Sequence, residues 1–473
     1  AFSDSGDSNK GKAVVYTGNG VVKNLTAENF IGFSDGSVTR TPVSQAVGSP
    51  VVFESAVATH VSAVHDPDQN KIIISYRDEG NSNYGTAVAG TVSGTNISFG
   101  SPVVFESANV QYTAISYDTN SDKVVISYQD NGNSAYGTSI IGSVSGTNIS
   151  FGTAVVFNSA ETISIVSAFD TSEAKVLVAY RDNGNSAYGT AIVGSVSGTG
   201  ISFGSEAVFY ATAGTMPTGA SYDSVSSTVG ILYNAYTVDQ LLCRIATISG
   251  TSVSFGTQTS NLKTSAGNTS IAAANGKFIV SYRNSSSGGV GQAIVGVLSG
   301  TSIAFGDPQE FSSNSVSFTN LAYNAAAEQI IVSYKDNDSS NDGVINAGTI
   351  SGTTISWGSN VTFASAVGAS DTMTTTYDST SKVVLVAYQN TDNSNYGTSV
   401  LFRSPYTQVD RAEISNGGNA VIQTGCAIND TQTGLTAGQQ YFVQTDGTLG
   451  LTAGSPSVIA GTAISATDII VKG

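Results

Sequence analysis

The sequence predicts an all-β fold: a seven-bladed β-propeller of four-stranded blades closed by an N-terminal strand, plus a small β domain formed by both termini. Three observations carry that prediction. The stretch Ser93-Gly94-Thr95-Asn96-Ile97-Ser98-Phe99-Gly100 returns at Ser145 and Ser197, and in altered form at Ser249, Ser299 and Ser351, at intervals of 52, 52, 52, 50 and 52 residues. A fixed period of this size marks one supersecondary unit stacked on copies of itself. Each period also holds a near-continuous apolar run, such as Val124-Val125-Ile126 or Val383-Val384-Leu385-Val386, the pattern of a strand buried on both faces. Finally, a lone copy of the recurring outer strand stands ahead of the array at 43–55, and the last period lacks its own.

Composition agrees. Charged residues make up 11% of the 473-residue chain and glycine is abundant at 52, a profile of short strands joined by turns that need positive φ. The apolar share of 40% is too high for a disordered chain. With 34 acidic against 18 basic residues the net charge is −16. That argues against nucleic acid as a partner, since phosphate binding needs a basic patch. No apolar run approaches the roughly 20 residues that span a bilayer, so no membrane insertion is expected. Cys243 and Cys426 lie far apart; one disulfide is open, but the fold is not disulfide-built. The chain begins at Ala1 without Met, which leaves room for a trimmed segment.

Taken in order, residues 1–40 are polar and irregular, and the repeat frame begins at 41. Residues 47–55 align with 99–107 position by position. Each period then offers a first strand ending in aromatic-Asp, as in Tyr117-Asp118, Phe169-Asp170, Tyr222-Asp223 and Tyr377-Asp378. The Asp is expected to bond backbone donors of the following turn. Second strands are expected at 71–76, 123–128, 175–180, 229–233, 277–282, 329–334 and 382–388. A loop such as Asn131-Gly132-Asn133-Ser134-Ala135-Tyr136-Gly137 leads to a third strand, and a Ser-Gly-Thr hairpin leads to a fourth. The fourth alternates polar and apolar residues, as an outer strand should. That gradient favours blades over the main rival, a parallel β-helix, whose coils are usually shorter.

In the seventh period Arg403-Ser404-Pro405 stands where the hairpin should be. The strand at 43–55 is therefore expected to complete that blade and hide its edge. Residues 41–404 would form the propeller. Closure would bring its two ends together, so 1–40 and 405–473 are expected to form one split β module for attachment or oligomerisation. Asp446-Gly447 reads as a hairpin turn within it.

The repeat Tyr188-Gly189-Thr190-Ala191-Ile192-Val193-Gly194-Ser195-Val196-Ser197-Gly198-Thr199, with Ile201-Ser202-Phe203-Gly204, resembles repeats in structural proteins of marine tailed phages. The tail segment Gly434-Leu435-Thr436-Ala437-Gly438-Gln439-Gln440-Tyr441-Phe442-Val443-Gln444-Thr445-Asp446-Gly447 resembles a terminal module of virion fibre and appendage proteins. Asn24-Leu25-Thr26-Ala27-Glu28-Asn29-Phe30 is similar to the first part of that module. The resemblance covers nearly the whole chain and implies a virion surface protein. Its motifs are structural and bring no catalytic residue with them.

The search for chemistry finds little. Arg77, Arg181 and Arg283 recur at one repeat position just after the second strand, which reads as periodic decoration rather than a converging cluster. The single tryptophan, Trp357, replaces the Phe of Ile-Ser-Phe-Gly and reads as a packing residue. His65 takes a position that is Tyr or Phe elsewhere, so a packed ring is expected there. No metalloprotease, P-loop or nucleophile-elbow motif is present, and nothing picks out a carboxylate pair for glycoside hydrolysis. The carboxylates of Asp336, Asp338 and Asp342 only loosely follow calcium-loop spacing. No cofactor and no metal is expected.

The loops after the second strands repeat Asn-Ser-x-Tyr-Gly-Thr from Asn81, Asn133, Asn185 and Asn393. Tyrosines beside amides suit sugar recognition, which makes Arg77, Asp78, Tyr84, Tyr136, Arg181, Asp182, Tyr188 and Tyr396 the candidate ligand-binding residues. The competing reading has these tyrosines packing between blades while Asn, Ser and Gly shape the turn, and identical repetition favours it. One-off specificity would show in the departing loops, 234–240 and 284–291. The expected function is a non-enzymatic structural protein of the virion surface: a fibre, spike or capsid decoration. Its partners would be other virion proteins through the terminal module, host-surface glycans through the propeller, and further copies of itself. The alternatives are a propeller enzyme degrading host polysaccharide and a secreted bacterial lectin or adhesin.

Overall fold

The computed structural model describes residues 40–368 and 373–409. Beyond these it describes only short strands and a few adjoining residues. The fold is all-β, with antiparallel sheets; helical structure among the described residues is limited to four three-residue 3-10 turns. The chain divides into two compact units, 44–406 and 1–43 with 407–473. In the smaller unit Gly11–Tyr16 pairs with Phe2–Ser3 and Val22–Leu25. A separate five-stranded sheet there joins Ala427–Asn429, Ile469–Val471, Ile459–Ala463, Gln440–Val443 and Leu449–Gly450. Asp446-Gly447 lies outside the described residues, between the paired strands Gln440–Val443 and Leu449–Gly450.

In the larger unit one pattern recurs seven times. Its second strands are Lys71–Asp78, Lys123–Asp130, Lys175–Asp182, Thr228–Ala235, Lys277–Asn284, Gln329–Asp336 and Val383–Asn390. They run further than expected. Arg77, Arg181 and Arg283 therefore lie inside strands, not after them: Arg77 stands between Thr59 and Gly85, Arg181 between Ile163 and Gly189, and Arg283 between Gly267 and Gly291. The apolar run stops early, but neighbouring strands on both sides still supply ladder partners, so the backbone stays extended past it.

The outer and first strands turn out to be one element. Val103–Asp118 pairs at Val103 and Val104 with the third strand of one repeat, and from Val110 onward with the second strand of the next. Val51–Asp66, Val155–Asp170 and Gln309–Asn324 do the same, each 16 residues long. The switch needs a bulge. The register slips between Gln111 and Ala114, and Tyr112 there takes φ +51. His60, Ser164, Asn268 and Phe318 repeat it at φ +48 to +53. An extra residue in the left-handed region re-aims the strand so that it can leave one sheet and enter another.

The N-terminal copy pairs where the last repeat lacks an outer strand. Ser399, Thr398 and Gly397 stand opposite Val51, Val52 and Glu54, and Phe402 opposite Val47. Packing follows the same order. Among the described residues there are seven apolar clusters, each shared by two consecutive repeats, and the seventh joins Ile72, Ile74 and Val88 of the first repeat to Leu385 and Leu401 of the last. Val124 and Ile126 enter one cluster while Val125 enters the next. Second strands are thus buried on both faces, which is why their sequences do not alternate.

Glycine explains why the opening motif repeats. A Cβ built on Gly152 would lie 2.0 Å from the carbonyl oxygen of Thr199, in the Ser-Gly-Thr hairpin of the next repeat. Equivalent approaches join Gly48 to Thr95, Gly100 to Thr147, Gly204 to Thr251, Gly256 to Thr301 and Gly306 to Thr353. Behind this contact, Phe157 packs its ring 5.2 Å from Tyr180 and 5.6 Å from Phe203. Each such aromatic pair adds about 0.5–1.5 kcal/mol beyond its buried area. The phenols of Tyr76, Tyr128 and Tyr180 are satisfied by Glu54, Glu106 and Glu206 at 2.9, 3.1 and 2.8 Å.

First strands of all seven repeats line one cavity of about 690 Å³. They are joined by side chains rather than by ladders: Ala273 N donates to Ser221 Oγ, Leu321 N to Ser270 Oγ, and Thr113 Oγ1 to the His60 carbonyl. Five of the seven first strands end in Asp, and that side chain holds its turn as expected, whereas the fifth ends in Ala274 and the sixth in Asn324; Asp118 Oδ1 accepts from Asn120 N and Ser121 N at 2.9 and 3.1 Å. Cys243 is buried and free, and burial pushes its thiol up to about 12.

His65 is packed, as expected of its position, and also paired. Its Nε2 lies 3.0 Å from Asp378 Oδ1, with side chains 7% and 1% exposed, linking the first repeat to the last. Burial raises the Asp378 carboxyl, but bonds from His65 and Ser381 outweigh it and hold the group below its ordinary value. A carboxyl depressed in the folded state stabilises above its unfolded pKa and loses that contribution as pH falls through the folded value.

Two outcomes follow from this packing. Gly152→Ala should destabilise by about 1–3 kcal/mol in urea unfolding, since the obstacle is backbone that cannot rotate away, whereas Ser150→Ala, exposed on the strand Asn148–Phe151 just before it, should be neutral. Asp378→Asn should cost about 3 kcal/mol at neutral pH. It should also flatten the loss of stability that the unaltered protein shows as pH falls below about 4, followed by the same unfolding at a series of pH values.

Candidate ligand face

The loops that keep Asn-Ser-x-Tyr-Gly-Thr are built alike. Asp130 Oδ1 accepts from Gly132 N and Asn133 N at 2.9 and 3.2 Å, capping a 3-10 turn, and Ser134 and Ala135 follow at φ +56 and +60. Asp78 and Asp182 do the same work, accepting from Asn81 N and from Gly184 N and Asn185 N. These carboxylates are buried and spent on backbone donors. Burial pushes the Asp78 carboxyl up against the effect of those bonds.

The four tyrosines open the third strands. Tyr84, Tyr136, Tyr188 and Tyr396 stand opposite Asp78, Asp130, Asp182 and Asn390. On the other side the long strands flank three of them, with Tyr84 opposite Asn109, Tyr136 opposite Glu161 and Tyr396 opposite Val57. All four are half-buried. Exposed Asn-Ser pairs precede each of them in sequence, at 81–82, 133–134, 185–186 and 393–394.

The candidate residues fall at matching positions of four repeats. Arg77, Asp78 and Tyr84 make one set, Arg181, Asp182 and Tyr188 another, and Tyr136 and Tyr396 occupy two more. The two arginines differ in their surroundings. Arg77 Nη2 meets Glu79 Oε1 at 2.9 Å and its Nε meets Asn83 Oδ1 at 3.1 Å. Arg181 reaches only the sulfur of Met216, at 3.5 Å, and its buried Nε has no partner. Two further cations share the position. Arg283 Nη1 bonds Ser285 Oγ at 3.0 Å. Lys335, lowered by burial, lies 5.8 Å from the Phe318 ring and 3.4 Å from the Gly368 carbonyl.

Lys335 was open to sequence reasoning, since it occupies the Arg position of its period. Met216 was not, because the bulge that aims it carries a different residue in every repeat: His60, Tyr112, Ser164, Asn268 and Phe318 elsewhere. The calcium-like spacing resolves into turn bonds, with Asp336 accepting from Asp338 N and Asp338 from Ser315 N. Among the described residues no group of three or more His, Cys, Asp or Glu side chains is placed to hold a metal ion.

No protein-family model matches the chain, and no curated protein matches it. Solved structures do. The crystal structure of the BP39L lectin from Burkholderia pseudomallei aligns with a TM-score of 0.54 at 9% identity, over 78% of this chain and 98% of the lectin. At that identity the likeness is one of fold alone. A protein of unknown function from Dyadobacter fermentans aligns at 0.44 and 10% identity over 77% of this chain and 99% of its own.

Proposed function

We propose that this chain is a non-enzymatic glycan-binding protein of a virion surface, built as a seven-bladed propeller and carried on the particle by its terminal unit. The observation that carries the glycan reading is the likeness to a lectin over nearly that protein's full length, on a face where half-buried tyrosines recur beside exposed amides. Half-burial suits the task, because a rigid ring rim stacks on sugar C–H faces with little side-chain entropy to lose. The carboxylates on that face are engaged by turn amides, so the loops offer donors and rings rather than an acid–base pair.

Blade count and closure belong to the same proposal. Seven shared apolar clusters and the pairing of 47–57 with the last third strand support a ring in which the first and last repeats meet. The virion role rests on the motif resemblance of the repeats and of the terminal segments. Attachment through the terminal unit, self-association and an extracellular position on the particle go with it.

A glycan array tests the binding reading directly. The purified chain should be retained by a subset of glycans without releasing new reducing ends, and Tyr136→Ala with Tyr188→Ala should weaken retention about tenfold. Retention by no glycan at all, or time-dependent cleavage of a retained one, would overturn it.

A further inference from the structure

The cavity lined by the first strands of all seven repeats, about 690 Å³, falls within the range of small-molecule pockets, about 300–1,000 Å³. Among the described residues its lining holds no Asp, Glu, Lys or Arg, although the chain carries 34 acids and 18 bases. His65 is the one basic side chain there, and its Nε2 is turned to Asp378 Oδ1 at 3.0 Å. An ion entering would shed its hydration and find no free opposite charge. The cavity therefore selects for uncharged molecules.

Its polar groups are unevenly spread. On the fourth and fifth repeats Ser221 Oγ accepts from Ala273 N at 2.9 Å and Ser270 Oγ from Leu321 N at 3.2 Å; a hydroxyl held this way keeps its proton to donate. On the sixth, Asn320 Nδ2 donates to the Phe318 and Met373 carbonyls at 3.1 and 3.2 Å, which leaves its Oδ1 to accept. Thr374 and Thr376 of the seventh repeat and Ser62 of the first are half-buried. Their hydroxyls find no protein partner among the described residues and are not closed to solvent. The second and third repeats contribute Ala114, Ile115, Ile165, Val166 and Ala168, while the Oγ atoms of Ser116 and Ser167 there are closed to solvent. One arc of the lining thus offers donors and acceptors, and another offers hydrocarbon.

A collar of rings completes it. One residue before the end of the first strand stand His65, Tyr117, Phe169, Tyr222, Tyr323 and Tyr377, and in the fifth repeat Ala273. Two of the phenols are anchored, Tyr323 Oη accepting from Asn275 Nδ2 at 2.7 Å and Tyr377 Oη from Ala326 N at 3.4 Å. Ala273 leaves the one gap in the collar.

We infer that this cavity binds a neutral mono- or disaccharide, with sugar hydroxyls on Ser62, Ser270, Asn320 and Thr374 and a C–H face on the apolar arc and the collar. This rests on the glycan-binding reading above and gives it a second place, apart from the loop tyrosines. A pyranose is divided as the lining is, with hydroxyls around its rim and C–H groups on its faces. Water alone matches the apolar arc poorly, since a cavity water needs about two to four polar partners. Replacing loosely held water there by a C–H face is favourable, and rings already fixed in place lose little entropy on contact.

The test is calorimetry of the full chain against glucose, galactose and mannose, each beside its uronic acid, and against maltose and lactose. At least one neutral sugar should bind at one molecule per chain, since the cavity occurs once while the loop tyrosines recur. Its uronic acid should bind about tenfold more weakly or worse, because the carboxylate is desolvated without a partner. Thr374→Val and Ser62→Ala should each weaken binding about two- to tenfold, the loss of one hydrogen bond. Ala273→Tyr, which installs the residue that the second, fourth, sixth and seventh repeats carry there, should narrow the cavity and weaken binding more than either. Ser150→Ala should bind as the unaltered chain does, and unfolding curves confirm that each variant is folded. No binding by any neutral sugar, a stoichiometry above one, equal binding of sugar and uronic acid, or binding untouched by Ala273→Tyr overturns the site. If glycans are still retained on the array in that case, with retention dependent on Tyr136 and Tyr188, the loop-face reading stands and only the cavity falls.

Discussion

Where one repeat meets the next, a glycine without a Cβ lies against a threonine carbonyl of the following hairpin. Main chain touches main chain there, so the spacing between sheets is set by backbone rather than by compressible side chains. With that spacing held, the aromatic rings behind it pack edge-on or tilted at 5.1 to 6.0 Å from repeat to repeat. The apolar residues of each second strand then fill both flanking clusters. The contact fails only where the chain lacks the hairpin: Gly358 meets Ala347 on the third strand of its own repeat instead, because Arg403-Ser404-Pro405 replaces Ser-Gly-Thr. There the N-terminal strand and the His65–Asp378 pair supply the joint.

That constraint also sorts structure from function. Positions that make the joint cannot vary, so they repeat almost verbatim, and their conspicuousness in the sequence is a measure of packing. The bulge positions obey a different rule. They need only a left-handed residue that can re-aim the strand, and the chain fills them with imidazole, phenol, hydroxyl, amide and phenyl in turn. Variation on a rigid frame is where a binding face can acquire chemistry.

Much of the frame was legible beforehand. The period, the Asp-capped turns and the pairing of 43–55 with the last repeat all follow from local patterns that recur, and recurrence averages out ambiguity at any single site. The ends of second strands were misjudged because Arg77-Asp78 looks like loop to a hydropathy pattern, while the ladder depends on partners across the sheet. The union of outer and first strand into one element of 16 residues was hidden for a similar reason. Its midpoint is held by a bulge, and a left-handed Tyr112 or Phe318 has no sequence signature of its own. The candidate site was legible only in outline. Spacing showed that Arg77 and Arg181 are equivalent, but whether a guanidinium finds Glu79 or only Met216 depends on which residues the fold brings near.

The central claim is that a single chain closes its array by pairing residues 51–52 with 398–399 of the same molecule. Val51 and Ser399 stand opposite one another in that ladder, so Val51→Cys with Ser399→Cys, in a chain carrying Cys426→Ser, gives the most direct measurement. Mild oxidation should link the two within one molecule, running as a monomer on a non-reducing gel, and should raise the unfolding midpoint in urea by constraining the open chain. Linkage only between molecules, or no linkage in the folded protein, would contradict closure within the chain.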